Sequence, residues 1–312
     1  MAIKISTFYE HIKEAETQEG IDEDSILSRL ADAGLQGLEI DGARLEGKGP
    51  IANLSLLAMK NRFQKYNLEI ATIYRFYDWG YPIFKTEEDL KEDRREAENL
   101  VAMARSWGAH AIMAIPGFLK EETIQAGVEA EISCVKENLK EMLAYLVNYT
   151  ESLKNQGIQT PMVVLEDFDG PGTIYSTMEE LESLQREIPG LGIAFDTGNF
   201  LYSLQDCGQV YGKMREHGVN ITHVHLKDRI WSAEAVTEAI RAESDAKTAR
   251  DEKLVMYGCP VGEGELPIAE ILEDLKDIGF DGYAAAEHFG MRHQLACMEQ
   301  SVEWIYERLH FD

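Results

Sequence analysis

Residues 192–228 read GIAFDTGNFLYSLQDCGQVYGKMREHGVNITHVHLKD. A short apolar run, Gly192 to Asp196, opens the stretch, a longer segment of helical period ends at Gly218 after His217, and a second run, Ile221 to Leu226, closes it. A strand, a helix and another strand joined by short connections return the chain to the same sheet edge, so the two strands run parallel. The unit recurs on both sides. Eight such runs are present: Ile3 to Thr7, Gly37 to Ile40, Glu69 to Tyr74, Ala111 to Ile115, Met162 to Glu166, Gly192 to Asp196, Ile221 to Leu226 and Gly282 to Glu287. Gly34, Gly108, Gly157 and Gly279 punctuate the other helical segments, each able to take a left-handed cap. Thr86 and Thr177, followed three residues later by Asp89 and Glu180, mark helix starts, and the second pair has the composition of a capping box.

Eight units in 312 residues leave about 39 each, which predicts an α/β fold, a closed (β/α)8 TIM barrel with residues 1–312 as a single domain. An open doubly wound sheet is the alternative, but no glycine-rich dinucleotide or P-loop sequence follows the first run. Extra length falls in the helical segment Glu131 to Asn155 and between Arg229 and Met256. Against 30 basic residues stand 56 acidic ones, a net charge of −26, which argues against nucleic acid or anionic lipid as partner. Apolar runs such as Ile112 to Phe118 are too short to span a bilayer, and Met1 to Ser6 lacks the features of a signal peptide. A cytoplasmic location without membrane contact is expected. Cys134, Cys207, Cys259 and Cys297 lie far apart, as reduced thiols do.

Functional side chains of a parallel barrel sit at the carboxyl ends of its strands. Here four consecutive strand ends carry charged or imidazole groups: Glu166-Asp167, Asp196, His223-Val224-His225 and Glu287-His288. Glu166 and Asp196 are 30 residues apart, Asp196 and His225 are 29 apart, and so each strand delivers one group to the same rim. Three converging carboxylates repel one another unless a cation joins them. Glu166, Asp196, His225 and Glu287 form an oxygen-rich set with one imidazole, suited to one divalent metal ion, Mn, Mg, Co or Zn. Taken singly, an acid at a strand end is most often solvated or caps a helix.

At these residues the sequence resembles the sugar phosphate isomerase/epimerase superfamily, the xylose isomerase-like barrels. The resemblance is carried by LED ending at Asp167, AFDTGN ending at Asn199, HVHLKD ending at Asp228, PVGEGELP ending at Pro267 and AAEHF ending at Phe289. It implies that Glu166, Asp196, His225 and Glu287 bind the metal, His225 rather than His223 because it holds the H-x-K-D position. It also implies that Glu166 and Glu287 work as a catalytic pair on opposite faces of the substrate. Many relatives have a histidine where this chain has Asn199, which can orient a hydroxyl but cannot titrate. The more distant DNA-repair relatives carry histidines after strands three and four; here those ends read Ile73-Tyr74-Arg75 and Ile115-Pro116-Gly117.

The expected chemistry is proton abstraction next to a carbonyl, with a Lewis-acidic metal stabilising the enediolate. An isomerase or epimerase of carbohydrate metabolism follows, acting on a small sugar, sugar phosphate or hydroxy-keto acid. A metal-dependent dehydratase of the inosose or dehydroshikimate type is one alternative, and a non-catalytic sugar-binding barrel another. Substrate contacts are expected from Asn199, Lys227 and His288, with aromatic walls from Trp79, Tyr74, Phe118 and Trp231, and also from Phe76, Phe8 and Tyr9. Lys227 reads equally as an ion-pair partner of Asp228, and His11 is a weaker pocket candidate than His288. Arg229 and Arg292 read first as surface residues, Trp107 and Trp304 as core, and Gly262 to Glu265 as a tight turn. By analogy with relatives the chain is expected to form a homo-oligomer.

Overall fold

A computed structural model describes residues 3–46 and 50–310. The barrel staves are β1 (Lys4–Phe8), β2 (Gly37–Asp41), β3 (Glu69–Phe76), β4 (Ala111–Ile115), β5 (Met162–Glu166), β6 (Gly192–Asp196), β7 (Ile221–Leu226) and β11 (Tyr283–Ala286). They close in the order β1-β11-β7-β6-β5-β4-β3-β2, every neighbour parallel. Four staves begin and end where the apolar runs do. Three others run one or two residues further at their carboxyl ends because register extends them, Phe8 pairing with Glu39, Asp41 with Tyr74 and Phe76 with Ile115, while β11 is shorter than its run by one residue at each end.

Strand side chains alternate between two cores. Ile5, Leu38, Ile73, Ile112, Leu165 and Val224 face outward and pack against Leu27, Leu100, Leu143 and other helix residues, each burial worth roughly 1.5–3 kcal/mol. Phe8, Tyr74, Met113, Ile115, Val164 and Ala194 pack together in a separate inner cluster. Two irregularities re-aim the inner set. An extra residue in β3, Ala71, sits opposite the Leu38/Glu39 step, and an extra residue in β7, Thr222, sits opposite Ile193/Ala194. The second bulge presses on Gly192, where a Cβ would lie 2.1 Å from Thr222 Oγ1.

Gly34, Gly108, Gly157, Gly218 and Gly279 all take positive φ past helix ends. The reciprocal capping box, however, is at Thr86 and Asp89 rather than at Thr177. At Thr177 the hydroxyl accepts from Glu180 N–H, but the Glu180 carboxylate accepts from Ser176 N–H, one residue earlier. The long helix after β4 spans Glu129–Asn155. After β7 the extra length builds a small antiparallel sheet from β8 (Asp228–Ile230), β9 (Ala246–Thr248) and β10 (Val255–Cys259), with the short helix Glu238–Glu243. Among the described residues no helix is long and apolar enough to cross a membrane. All four cysteines are free thiols.

Candidate active site

β5, β6, β7 and β11 end side by side, and Glu166, Asp196, His225 and Glu287 offer ligand atoms that all lie within 4.8 Å of one another. His225 Nδ1 is at the middle, 2.8 Å from Glu166 Oε1, 3.3 Å from Glu287 Oε2 and 3.9 Å from Asp196 Oδ2. Asp196 is aimed by its own turn: Oδ1 accepts from the N–H groups of Gly198 and Asn199 at 2.7 and 2.8 Å. Its Oδ2 is buried without a hydrogen bond, although Lys227 Nζ stands 3.2 Å away.

Lys227 does not pair with Asp228. Its ammonium reaches Glu287 Oε1 at 2.6 Å and donates to Asn199 Oδ1 at 2.7 Å. Asn199 Nδ2 donates in turn to Glu166 Oε1 at 3.2 Å and to the Asp167 carbonyl at 2.8 Å, so one amide ties Lys227 to Glu166. Asp228 instead accepts from the N–H groups of Gly262, Gly264 and Leu266. The Gly262 to Glu265 turn is therefore wrapped around a buried carboxylate.

Electrostatics show an excess of acid. Burial first, and then Glu287 and Glu166, hold Asp196 well above the usual carboxylate range despite Lys227. Asp167, fully buried with neither oxygen hydrogen-bonded, is pushed up by burial, Asp196 and Glu166. Burial opposes ionisation of Glu287 too, yet Lys227 and His225 hold it well below the usual range. His225 resists burial and is raised well above an ordinary imidazole by Glu166 and Glu39. This donor set fits a divalent cation: three carboxylates and one imidazole converge, with a buried carboxylate oxygen lacking a hydrogen bond.

Glu39 was not anticipated from the sequence. It is fully buried, with Oε1 2.8 Å from His223 Nε2 and Oε2 3.2 Å from His225 Nε2, and Ser6 Oγ donates to it at 3.2 Å. Burial opposes its charge, but the two imidazoles bring its pKa down to about 2. Glu39 thus holds the far nitrogen of His225 and leaves Nδ1 facing the carboxylates. Glu39→Gln is expected to weaken divalent-metal affinity about 10-fold or more, as loss of such an orienting partner does. A Mn²⁺ titration checks it, and unchanged affinity contradicts the role.

A cavity of about 560 Å³ opens above the cluster. Of the residues expected to meet substrate, Tyr74, Phe118, Glu166, Asn199, Lys227 and Glu287 line it, together with Phe8 and Phe76. Three do not. His288 turns outward, its Nε2 2.7 Å from Ser301 Oγ, its own N–H donating to His11 Nε2, and burial drives its pKa down to about 3. Trp79 is fully buried, stacked on Tyr77 at 4.2 Å and donating to Glu96. Trp231 packs in a separate cluster with Leu201, Ala249 and Met256, the last of them on β10. Tyr9 likewise lies in the outer core, donating to Glu23. Arg229, read as a surface residue, is buried 3.6 Å from Asp169, whereas Arg292 is exposed and paired with Asp245. A larger hollow of about 810 Å³ lies at the opposite end of the barrel, around Trp107, His110 and Met162, and holds none of these groups.

The comparisons agree with this architecture. An uncharacterised protein of Methanocaldococcus jannaschii is 26% identical over 173 residues, covering 55% of this chain, and the chain spans about half the length of that relative. Among solved structures, a sugar phosphate isomerase/epimerase from Parabacteroides distasonis superposes with a TM-score of 0.64 at 15% identity, covering 100% of this chain and 95% of the other. The probable 3-DHS dehydratase AsbF from Bacillus anthracis gives 0.62 at 17% identity over 97% and 99% of the two chains. The IolI protein, solved with a bound zinc atom, gives 0.62 at 14% identity over 99% and 100%. Such distant likenesses show the fold. Residues 27–308 match the sequence family described as the xylose isomerase-like TIM barrel, and the chain belongs to that family.

Proposed function

We propose that this protein is a divalent-metal-dependent isomerase or epimerase that moves a proton next to a carbonyl in a small sugar or sugar-derived substrate. One observation carries the reading: Glu166 and Glu287, from staves on either side of β6 and β7, both line the cavity and both contact the same imidazole. Glu166, Asp196, His225 and Glu287 would hold the cation, as the zinc-containing relative makes chemically reasonable. When bound, it supplies positive charge to a carbonyl oxygen and the adjacent hydroxyl, which favours loss of the proton between them.

The chain's own groups do the rest. Glu287, 2.6 Å from the Lys227 ammonium, takes a proton, and Glu166 faces the cavity from the other side to return one. Acid–base help of this kind contributes about 10²–10⁴ in rate. Lys227 Nζ, between Glu287 and Asp196, donates to a substrate oxygen as charge develops there. Asn199 fixes the Glu166 and Lys227 side chains and holds no transferable proton.

The same ammonium favours a second reading, dehydration, in which Lys227 assists a departing hydroxyl, in keeping with the relative described as a probable dehydratase. NMR of candidate ketoses in D₂O with Mn²⁺ separates the two. Isomerisation predicts deuterium at the carbon next to the carbonyl together with an epimer or isomer, both abolished by EDTA. Dehydration predicts an unsaturated or deoxy product, and binding without either change identifies a sugar-binding barrel.

A further inference from the structure

We infer that the cavity selects an uncharged polyhydroxy carbonyl compound and discriminates against its phosphorylated counterpart. The inference rests on the isomerase reading and narrows its substrate. Beyond the cluster, the polar rim of the cavity holds Glu10, Asp41 and Asp169, with Thr173 and the Tyr74 hydroxyl, which donates to Glu10 at 2.7 Å. Carboxylates only accept hydrogen bonds, so they complement sugar hydroxyls and repel a phosphate, which carries about −1.5 to −2 charges and likewise only accepts.

The cations that pair with these acids stand behind them, outside the cavity lining. Among the described residues lining the cavity, Lys227 is the only cationic one, and it stands at the cluster, with Glu287, Asp196 and Asn199 at 2.6, 3.2 and 2.7 Å, not among the rim acids. Arg44 pairs with Glu10, Arg75 lies 4.0 Å from Asp41, and Arg229 and Lys247 lie 3.6 and 3.1 Å from Asp169, yet none of these four reaches the lining. An entering substrate therefore meets carboxylate oxygens and not guanidinium groups. The remaining wall is apolar and mostly aromatic. Phe8 and Phe289 meet edge to face at 5.1 Å, as do Phe118 and Phe168 at 5.3 Å, presenting rings to the C–H faces of a sugar rather than to a charged tail.

Calorimetric binding of D-ribulose against D-ribulose 5-phosphate, and of D-fructose against D-fructose 6-phosphate, to the full chain with Mn²⁺ tests the inference. In at least one pair the free ketose is expected to bind at least about tenfold more tightly, since like charges in close apposition are strongly disfavoured. The gap should shrink in about 0.5 M NaCl, where screening shortens to a few ångströms. Asp169→Asn and Glu10→Gln, which free the cations behind them, should each narrow it as well. Phosphate esters that bind as tightly as the free sugars, or free ketoses that do not bind at saturating concentration, overturn it. Deuterium exchange on the same samples separates this from the parent reading. Exchange confined to phosphate esters sinks the inference and leaves the isomerase standing, whereas tight binding of free ketoses without exchange does the reverse.

Discussion

Glu287→Gln is expected to lower turnover about 10³-fold, within the range for loss of a general acid–base group, and to leave the fold intact. The substitution keeps shape and removes charge. Glu287 lines the cavity and contacts Lys227 at 2.6 Å and His225 at 3.3 Å. Glutamine cannot accept a proton from a carbon acid, and it offers the cation a neutral oxygen in place of a charged one. Glu166→Gln should behave similarly, because Glu166 faces the same cavity. Turnover and deuterium incorporation are measured with metal saturating and thermal unfolding recorded alongside. Near-normal rates in both variants would remove the catalytic pair from the account.

The second large effect is on stability. Asp228→Ala should cost about 3–5 kcal/mol, the usual penalty for breaking a buried charged network. Its carboxylate is nearly inaccessible and accepts from Arg229, Gly262 and Gly264 N–H, each at 2.9 Å, and from Leu266 N–H at 3.4 Å. Burial raises its pKa, while these backbone donors pull it back. Without the side chain, several buried donors lose their acceptor. Gly264→Ala attacks the same contact from the other side, because its Cβ would stand 1.9 Å from Asp228 Oδ1 and 2.7 Å from the Arg229 carbonyl. The two substitutions should therefore be non-additive in a double-mutant cycle. Urea unfolding measures both, and a loss under about 1 kcal/mol for Asp228→Ala contradicts the anchoring role.

Much of this arrangement is legible in the chain. The staves stand out because β-branched runs are bounded by glycines in the left-handed region, and the four clustered groups stand out because each interrupts an apolar run at its carboxyl end. His288 shows where that reasoning stops short. Glu287 points into the barrel, so the period of two turns its neighbour to the helix layer, where His288 meets Ser301. Trp79 and Trp231 lie in connections whose direction no periodicity encodes. The strands β8 and β9 have three residues each, too few to show alternation. Glu39 left a trace, an acid inside the apolar run of β2, but its partners His223 and His225 lie 184 and 186 residues away, and only barrel closure brings them together. The rim acids Glu10, Asp41 and Asp169 look like ordinary surface carboxylates until the cavity is seen.

The central claim is that Glu166, Asp196, His225 and Glu287 together grip one divalent cation, and crystals of the full chain grown with Mn²⁺ test it most directly. The account predicts a single anomalous peak bounded by those four side chains, lost in Asp196→Ala. Manganese bound elsewhere, or absent while Lys227 keeps its contacts with Asp196 and Glu287, would contradict it.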